Sequence, residues 1–240
     1  MTAELSVIQR AVLKRMQSLG LAGGAHVLDA PCGDAAALSI ALREKGFAVV
    51  GGDVEPDAAG VLGDSFARVD LNRTWPWPDH TFDAVISTEG IEHLENHFAF
   101  LREACRVLRP GGWLVLTTPN ITALRSRVRF FGSGFFGRDS RPLNESARHP
   151  LHHIGLATFP ELRYELHVSG FRLLEARHTH IKPVSYLYAI YAPWMWLYTR
   201  IAFRKEKDPG QRKRNREIRA KLFSPSLLFG ECLMLIAKKL

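Results

Sequence analysis

Short apolar runs alternate with helical patterns through the first half of this chain, and this alternation limits the fold more than any other feature. The runs that we interpret as buried strands are residues 25–30, 47–52, 65–69, 82–88 and 113–118. Strands that alternate with helices predict a parallel sheet that is covered on both faces. The 240 residues are enough for one such domain and too few for two.

The remaining segments continue this α/β pattern. Helical patterns are predicted at residues 4–18, 35–45, 121–131 and 158–168. Further strands are predicted at residues 171–177 and 230–239. Another helix lies between the fourth and fifth runs, and its apolar spacing predicts one buried stripe of Phe98, Leu101, Cys105 and Leu108. Residues 119–157 are rich in Gly, Arg and His and are interpreted as a long excursion outside the sheet.

The ends of the predicted strands carry small and polar residues in a regular succession. The first strand is followed by a turn in which Gly33 lets the backbone approach a ligand closely. The second ends at Asp53, which is placed to accept hydrogen bonds from two ribose hydroxyls. The third ends at Asp70, whose carboxylate can accept the amino hydrogens of adenine while Leu71 covers the ring. Because open α/β sheets bind ligands beyond the carboxyl ends of their strands, these residues predict one nucleoside site.

Four segments of this half resemble successive motifs of the class I S-adenosylmethionine-dependent methyltransferases. They read VLDAPCGDA, GGDVEPD, DLN with WPDHTFDAVISTEGIEHL, and RVLRPGGWLVLTTPN. The resemblance is close over residues 25–120 and looser at the final strand. It implies a seven-stranded, mostly parallel, doubly wound α/β sheet of the Rossmann-like methyltransferase type, with a helical aromatic and basic insertion before the last strand. It also implies a single domain over residues 1–240.

The same resemblance divides the chain and assigns its cofactor. Residues 1–120 form the cofactor-binding half, 121–229 the acceptor side with the insertion at 184–221, and 230–239 the closing strand. S-adenosylmethionine is the expected cofactor. The residues expected to bind it are Asp29, Ala30, Pro31, Cys32 and Gly33 around the methionine moiety, Asp53 at the ribose with Val54 beside it, and Asp70 and Leu71 at the adenine.

The family's glycine signature is altered in this chain, where Pro31 and Ala35 replace two glycines. Because alanine requires a negative φ, we expect the turn to avoid the left-handed conformation at Ala35. A nicotinamide dehydrogenase is disfavoured, because the G-x-G-x-x-G spacing of that class is absent.

The segment from Glu89 to His93, directly after the fourth strand, supplies the candidates for catalysis. A hydroxyl acceptor benefits from a general base, and we assign this chemistry to His93, His153 and Glu89. The alternative interpretation is a structural turn, in which Glu92 and His93 only make hydrogen bonds near the cofactor.

The spacing E-x-x-E-H also resembles the metal motif of ubiquinone-pathway O-methyltransferases and of small-RNA 3′-end 2′-O-methyltransferases. In the RNA enzymes a further histidine comes from a downstream loop, where this chain has His149, His152 and His153. Carboxylates and imidazoles suit a divalent ion that activates a hydroxyl. A metal held by Glu89, Glu92, His93 and His153 therefore stays open, although we favour a metal-free base.

Residues 184–203, which we call the aromatic segment, contain four of the five tyrosines and two of the five tryptophans. Pro193 and Arg200 make it a poor membrane span, but aromatic side chains with polar tips are typical of the membrane–water boundary. Ten basic and three acidic residues follow between Arg200 and Lys221, so most of the net charge of +8 lies there. This succession predicts a contact of residues 184–221 with an anionic membrane surface. The alternative is an aromatic lid over the acceptor pocket beside a solvated basic helix.

We interpret the chain as a methyltransferase that acts on a hydroxyl of a hydrophobic or lipid-linked small molecule, such as a quinone precursor or a glycolipid intermediate. One alternative is an RNA 2′-O-methyltransferase, which the histidine loop and the basic run support, although we do not expect nucleic acid as the partner. The other is a binding module that holds the cofactor without catalysis, which the altered glycines permit.

The cysteines and the N-terminal residues bear on location. Cys32, Cys105 and Cys232 are far apart and have no paired spacing, which disfavours a disulfide framework and a zinc site. Residues 1–20 carry charges throughout and lack the apolar core of a signal peptide. We therefore expect a cytoplasmic protein that is peripheral on the inner face of the membrane.

Overall fold

The computed structural model describes residues 4–136, 142–146 and 152–240, and its centre is a seven-stranded sheet. The strands are β1 (His26–Asp29), β2 (Ala48–Asp53), β3 (Phe66–Arg68), β4 (Phe82–Thr88), β5 (Leu108–Pro119), β6 (Phe171–His178) and β7 (Cys232–Lys239). Their order in the sheet is β3-β2-β1-β4-β5-β7-β6. Only the pairs β5–β7 and β6–β7 are antiparallel among these strands. The predicted seven-stranded, mostly parallel α/β fold is confirmed.

Helices cover both faces of this sheet. They are α1 (Val7–Gln17), α2 (Ala37–Glu44), α3 (Ala59–Leu62), α4 (His97–Val107), α5 (Leu124–Ser133), α6 (Phe159–Val168), α7 (Ala192–Phe203), α8 (Pro209–Leu222) and α9 (Pro225–Phe229). Short 3₁₀ segments occur at Gly63–Ser65, Ile91–His93 and Pro183–Tyr191. The long excursion predicted for residues 119–157 therefore includes α5, which begins a few residues later than the basic helix predicted at 121–131.

Alternation along the strands separates the core into two layers. Val27 lies in a buried cluster with Val12 of α1 and Leu38 of α2. Its neighbour Leu28 lies in the other cluster, with Phe100 of α4. Because successive strand residues point to opposite faces, a nearly continuous apolar strand can fill both layers.

The buried stripe of α4 differs from the prediction. The buried residues are Phe100, Leu101, Ala104 and Val107. Phe98 is instead 37% exposed, Cys105 is half-buried, and Leu108 is buried but begins β5. Two stripes with helical spacing overlap in this sequence, and the one that includes the small Ala104 faces the sheet. The assignment of Phe98 to the core was wrong, whereas Cys105 packs against the core from a half-buried position.

The turn after β1 is left-handed at two positions, Gly33 with φ 68° and Ala36 with φ 44°. Ala35 is not among the described residues with positive φ, as expected for alanine. Because the left-handed Ala36 cannot belong to a right-handed helix, α2 begins at Ala37 and not at residue 35.

The aromatic segment forms the 3₁₀ segment Pro183–Tyr191 and α7, and the basic run continues as α8. No residue of α7 is buried, and Ser185 is the only buried residue of the 3₁₀ segment. Among the described residues, no helix has the length and the apolar character that crossing a membrane requires. The segment is attached at its start to Glu231, whose carboxylate accepts hydrogen bonds from Lys182 Nζ at 2.8 Å and Ser185 Oγ at 3.2 Å. Arg125 of α5 donates to the same carboxylate at 3.0 Å.

Candidate active site

The segments that follow β1, β2, β3 and β4 open onto one cavity of about 1310 Å³. Its wall includes most of the predicted site residues, namely Asp29, Pro31, Cys32, Gly33, Asp53, Val54, Asp70, Leu71, Glu89 and His93. Asp53 and Asp70 therefore face the same space, although they follow different strands. The strand order places Asp70, Asp53, the β1 turn and the turn after β4 in succession along the cavity.

Two predicted site residues do not line this cavity. Ala30 is fully buried in the core with Leu28 and Val69, because its backbone N–H continues the sheet by donating to the Ile86 carbonyl at 2.9 Å. The expected contact of the Ala30 side chain with a cofactor is therefore not supported. His153 is exposed and lies against the ring of His93.

The β1 turn is joined to the end of β2 through its backbone. The N–H of Gly33 donates to Oδ2 of Asp53 at 2.9 Å, and the N–H of Cys32 donates to the carbonyl of Gly52 at 3.0 Å. A β-carbon added to Gly33 would meet no heavy atom within 4 Å, so its surface is open to a ligand. This geometry provides the close backbone approach that the sequence predicted.

The two carboxylates beyond β2 and β3 are oriented by local hydrogen bonds. Oδ1 of Asp53 accepts from the N–H of Glu55 at 3.2 Å. Oδ1 of Asp70 accepts from the N–H of Asn72 at 2.9 Å, and its Oδ2 pairs with Arg73 Nε at 3.1 Å. Each carboxylate oxygen can accept more than one hydrogen bond, so both groups can also bind the hydroxyl or amino hydrogens of a ligand.

Asp29 places a carboxyl group at the inner wall of the cavity. It is 1% exposed, and its Oδ2 accepts a hydrogen bond from Ser39 Oγ at 2.6 Å. Burial raises the pKa of Asp29 to about 7, against the opposing effect of the Ser39 hydrogen bond, and the charge of Asp53 raises it further. A cationic group bound beside Asp29 would stabilise its ionised form.

Glu89 lies in a strained turn at the end of β4. Its φ is 50°, an uncommon conformation for a residue with a side chain. Its N–H donates to both the carbonyl oxygen and the hydroxyl of Thr117, which holds this conformation. The side chain is exposed at the cavity wall, and partial desolvation by the surrounding protein raises its pKa. Such strain is frequent at functional sites.

Glu92, His93 and His153 form a second cluster at the same end of the cavity. Each offers one potential ligand atom, and these atoms lie within 4.8 Å of one another. The rings of His93 and His153 have centroids 4.8 Å apart. Glu92 is fully buried, and burial raises its pKa to about 8. Glu89 is not part of this cluster. His149, which was also considered for a metal, lies outside the described residues.

Sequence reasoning missed several residues of the cavity wall. They include Ser6, Gln9, Asn72, Glu95 and Ile154. Ser6 and Gln9 form a capping box at the start of α1, in which each side chain binds the backbone of the other. The S-x-x-Q spacing marks this helix start, but it carries no information about which surface the helix end meets. No described residue of the aromatic segment lines the cavity.

Comparison with known proteins agrees with this geometry. The profile of a family described as "Methyltransferase domain" matches residues 6–182. The chain is 30% identical over 167 residues to an S-adenosylmethionine-dependent methyltransferase of Mycolicibacterium smegmatis, covering 65% of this chain and 60% of the relative. It is 35% identical over 121 residues to the demethylmenaquinone methyltransferase of Tropheryma whipplei, covering 47% and 50%. The chain thus spans between half and three-fifths of the length of these curated relatives.

Among solved structures, a SAM-dependent methyltransferase from Archaeoglobus fulgidus superimposes with a TM-score of 0.58 at 20% identity, covering 96% of this chain and 94% of that chain. This likeness concerns the fold. The match over residues 6–182 shows that the chain belongs to the family of S-adenosylmethionine-dependent methyltransferase domains. The family and the cofactor predicted from the sequence are confirmed.

The cavity fits this cofactor on its own chemistry. Asp53 and Asp70 offer carboxylate oxygens for ribose hydroxyls and for an adenine amino group, and Leu71 offers an apolar surface. Gly33 leaves its backbone open to a ligand, and Asp29 provides an anion for an amino group. The wall of the same cavity also includes Glu89 and His93.

Proposed function

We propose that this chain transfers a methyl group from S-adenosylmethionine to a hydroxyl of a hydrophobic or lipid-linked small molecule at a membrane surface. The observation that carries this proposal is the position of His93. It lines the same cavity as Asp53 and Asp70, in the turn that follows β4. An acceptor that binds beside this turn meets an imidazole in the same cavity as the groups that fit the nucleoside.

The chemistry requires little from the protein beyond alignment and removal of one proton. When bound, S-adenosylmethionine supplies a sulfonium methyl group, and transfer to oxygen breaks the S–C bond and leaves its electron pair on sulfur. His93 accepts the proton that the acceptor hydroxyl loses, which is the role of a general base. Leu94 and Ile154 beside it provide apolar surface for the acceptor and reduce access of water.

Glu89 and His153 have supporting roles in this proposal. Glu89 lines the cavity and contributes negative charge near the sulfonium. His153 packs against the ring of His93 and limits its rotation. The cluster of Glu92, His93 and His153 could alternatively hold a divalent ion that lowers the pKa of the acceptor hydroxyl. His93 cannot bind that ion and accept the proton through the same nitrogen, so the two mechanisms exclude each other.

The exposed apolar surface supports a lipid-linked acceptor. In the aromatic segment, the large apolar residues that are exposed are Val184, Tyr186, Leu187, Ile190, Tyr191, Trp194, Trp196, Leu197, Tyr198 and Ile201. α5 contacts this segment and adds Phe130 and Phe131, the latter 94% exposed. Extended apolar surfaces of this kind mark protein or membrane contacts. Because the aromatic segment does not line the cavity, this observation favours the surface contact over the lid.

The charge beside this surface supports an anionic membrane as the partner. In α8, which contacts α7, Arg212, Lys213, Arg214 and Arg216 are exposed. Basic residues near an anionic leaflet contribute about 1 kcal/mol each. Arg200 lies 5.1 Å from the ring centre of Trp196, so cationic and aromatic groups are interleaved within α7 itself.

We place this contact on the cytoplasmic face, as predicted from the unpaired cysteines. One relative is named demethylmenaquinone methyltransferase, and this name gives a quinone as its substrate.

Methyl-labelled S-adenosylmethionine tests the proposal directly. The protein is incubated with a total lipid extract or with total RNA, and label is followed into each fraction. We expect label in the lipid fraction as a methyl ether, and its loss in His93→Gln. Label in RNA, with affinity that falls steeply with salt, would instead establish the RNA methyltransferase alternative. Cofactor binding without transfer to either fraction would support the non-catalytic alternative.

A further inference from the structure

We infer that residues 152–155 act as a positioning strap for His93, and that Gly155 is the residue that allows the strap to dock. The inference rests on the proposed function, because it concerns the nitrogen through which His93 accepts a proton. The strap contacts the 3₁₀ turn Ile91–His93 twice, through the N–H of Gly155 at the Glu92 carbonyl and through the His152 carbonyl at the His93 ring.

The first contact fixes the tautomer of His93. Its Nδ1 lies 3.2 Å from the carbonyl oxygen of His152. A carbonyl oxygen can only accept a hydrogen bond, so Nδ1 must carry a proton. In the neutral ring the lone pair is then on Nε2, and the hydrogen bond of one ring nitrogen determines the function of the other. This holds whether Nε2 receives a proton or binds an ion, since metal-binding histidines are oriented in the same way.

The second set of contacts fixes the His152 carbonyl. The N–H of Ile154 donates to the same carbonyl oxygen at 3.0 Å, which closes a tight turn within the strap. The N–H of Gly155 donates to the carbonyl of Glu92 at 2.8 Å, directly before His93 in the chain. The strap and the turn are therefore joined at two adjacent residues of the turn, and the carbonyl that faces Nδ1 cannot rotate independently.

Gly155 is required for space. A β-carbon added there would lie 2.7 Å from the Leu94 carbonyl oxygen and 3.2 Å from the Ile91 carbonyl oxygen. Both are backbone atoms of the segment that carries His93. Gly155 is not among the residues with positive φ, so backbone conformation does not explain the glycine. Any side chain at this position must push the strap away from the turn.

A third neighbour prevents an easy adjustment. The added β-carbon would lie 2.5 Å from Nε2 of His97. The His97 ring is held by its contact with Glu165, at 3.2 Å between Nδ1 and Oε2, and both side chains are largely buried. His97 therefore cannot move aside at low cost. Gly155 is a positioning residue that acts through His152 and His93, and it does not touch the reacting atoms.

Nitrogen-15 NMR of the histidine rings tests this inference without knowledge of the acceptor. The 240-residue protein is labelled with nitrogen-15 at its histidines and treated with a chelator to remove metal ions. Its spectrum is compared with that of His93→Gln to assign the His93 signals. We expect neutral His93 to carry its proton on Nδ1, whereas free histidine prefers Nε2. A wild-type His93 that is protonated on Nε2 would overturn the inference. The tautomer is read from the wild-type protein, and His93→Gln serves only to assign the signals.

The Gly155→Ala variant tests the role of the strap. We expect the His93 tautomers to become mixed and the kcat for methyl transfer to fall about 10- to 100-fold, because small displacements of a catalytic group have effects of this size. The dissociation constant of S-adenosylhomocysteine should change less than about twofold. Gly23→Ala is the matched control, since Gly23 has no heavy atom within 4 Å of an added β-carbon and no positive φ. An unchanged tautomer in Gly155→Ala would contradict the role of the strap.

The two proposals fail in distinguishable ways. If His93 carries its proton on Nδ1 but His93→Gln retains full methyl transfer, the strap exists and the base is another residue. If His93→Gln abolishes transfer but wild-type His93 is protonated on Nε2, the base role remains and the strap is wrong.

Discussion

The N–H of Gly33 donates a hydrogen bond to Oδ2 of Asp53 over 2.9 Å, and this bond joins the turn after β1 to the end of β2. One carboxylate therefore has two tasks, because it holds the turn in shape and presents its remaining acceptor capacity to the cavity. The turn and the ribose site are expected to respond together when Asp53 is changed.

Replacement of Asp53 by asparagine should weaken cofactor binding. The amide removes the negative charge and one of the two acceptor oxygens, and hydrogen bonds to charged groups contribute about 1.5–3 kcal/mol. We expect the dissociation constant of S-adenosylhomocysteine, measured by calorimetry, to rise roughly 10- to 100-fold. Asp64→Asn is the control, because Asp64 is exposed and does not line the cavity. Equal affinity of Asp53→Asn and wild type would remove Asp53 from the cofactor site.

The stability of the cofactor-free protein should depend on pH through Asp29. Burial raises its pKa from 3.8 in the unfolded chain to about 7 in the folded protein. Between these values the folded protein holds a proton that the unfolded chain has released, so the free energy of unfolding falls as the pH rises from about 4 to about 7. Asp29→Asn should remove this pH dependence, whose total effect on the free energy of unfolding between about pH 4 and pH 7 is roughly 4 kcal/mol. Denaturant titrations across this range provide the measurement, and a slope identical to that of wild type would contradict the assignment.

His93→Gln should lower catalysis without lowering cofactor affinity. General bases contribute about 10²- to 10⁴-fold to rate, so we expect a fall of that size in kcat with the lipid fraction as acceptor. The exposed His167 of α6 provides a matched control, His167→Gln, which should keep wild-type activity. If both variants transfer methyl groups equally, the proton is taken elsewhere.

Methyl transfer should continue in the presence of a chelator. A sulfonium methyl group is already a strong electrophile, and proton removal by His93 is sufficient for an O-methylation. The measurement compares initial rates with and without EDTA, and then after addition of magnesium, manganese or zinc. Activity that is lost in EDTA and restored by one of these ions would assign Glu92, His93 and His153 to a metal site.

Membrane attachment should depend on both halves of the 184–221 surface. We expect the protein to float with phosphatidylglycerol-containing vesicles at low salt. Replacing Lys213 and Arg216 by glutamine should weaken this binding roughly 30-fold, because each lost charge removes about 1 kcal/mol of binding free energy. Replacing Leu187 and Ile190 by serine should weaken it at any salt concentration, whereas Val61→Ser at the opposite edge of the sheet should not. Protein that stays entirely unbound at low salt would rule out the membrane contact.

The sequence predicted those parts of the site that depend on strand alternation. Asp53 and Asp70 could be located because short apolar runs define where parallel strands end, and those ends share one edge of the sheet. Ala30 lies within the motif but continues the strand pairing, so its side chain faces the core and not the cavity. The strap could not be predicted, because Gly155 has a meaning only when Leu94 and His97 are seen beside it.

The order of strands along the cavity separates two requirements. Residues that fit the methyl donor follow β1, β2 and β3, whereas the acceptor site of our proposal follows β4 and includes the strap from the second half of the chain. An exchange of the portion after residue 120 would replace the strap and Ile154 while Asp53, Asp70 and the β1 turn stay intact. Chimeras that join the first half of this chain to the second half of another member should inherit the acceptor preference of that second half.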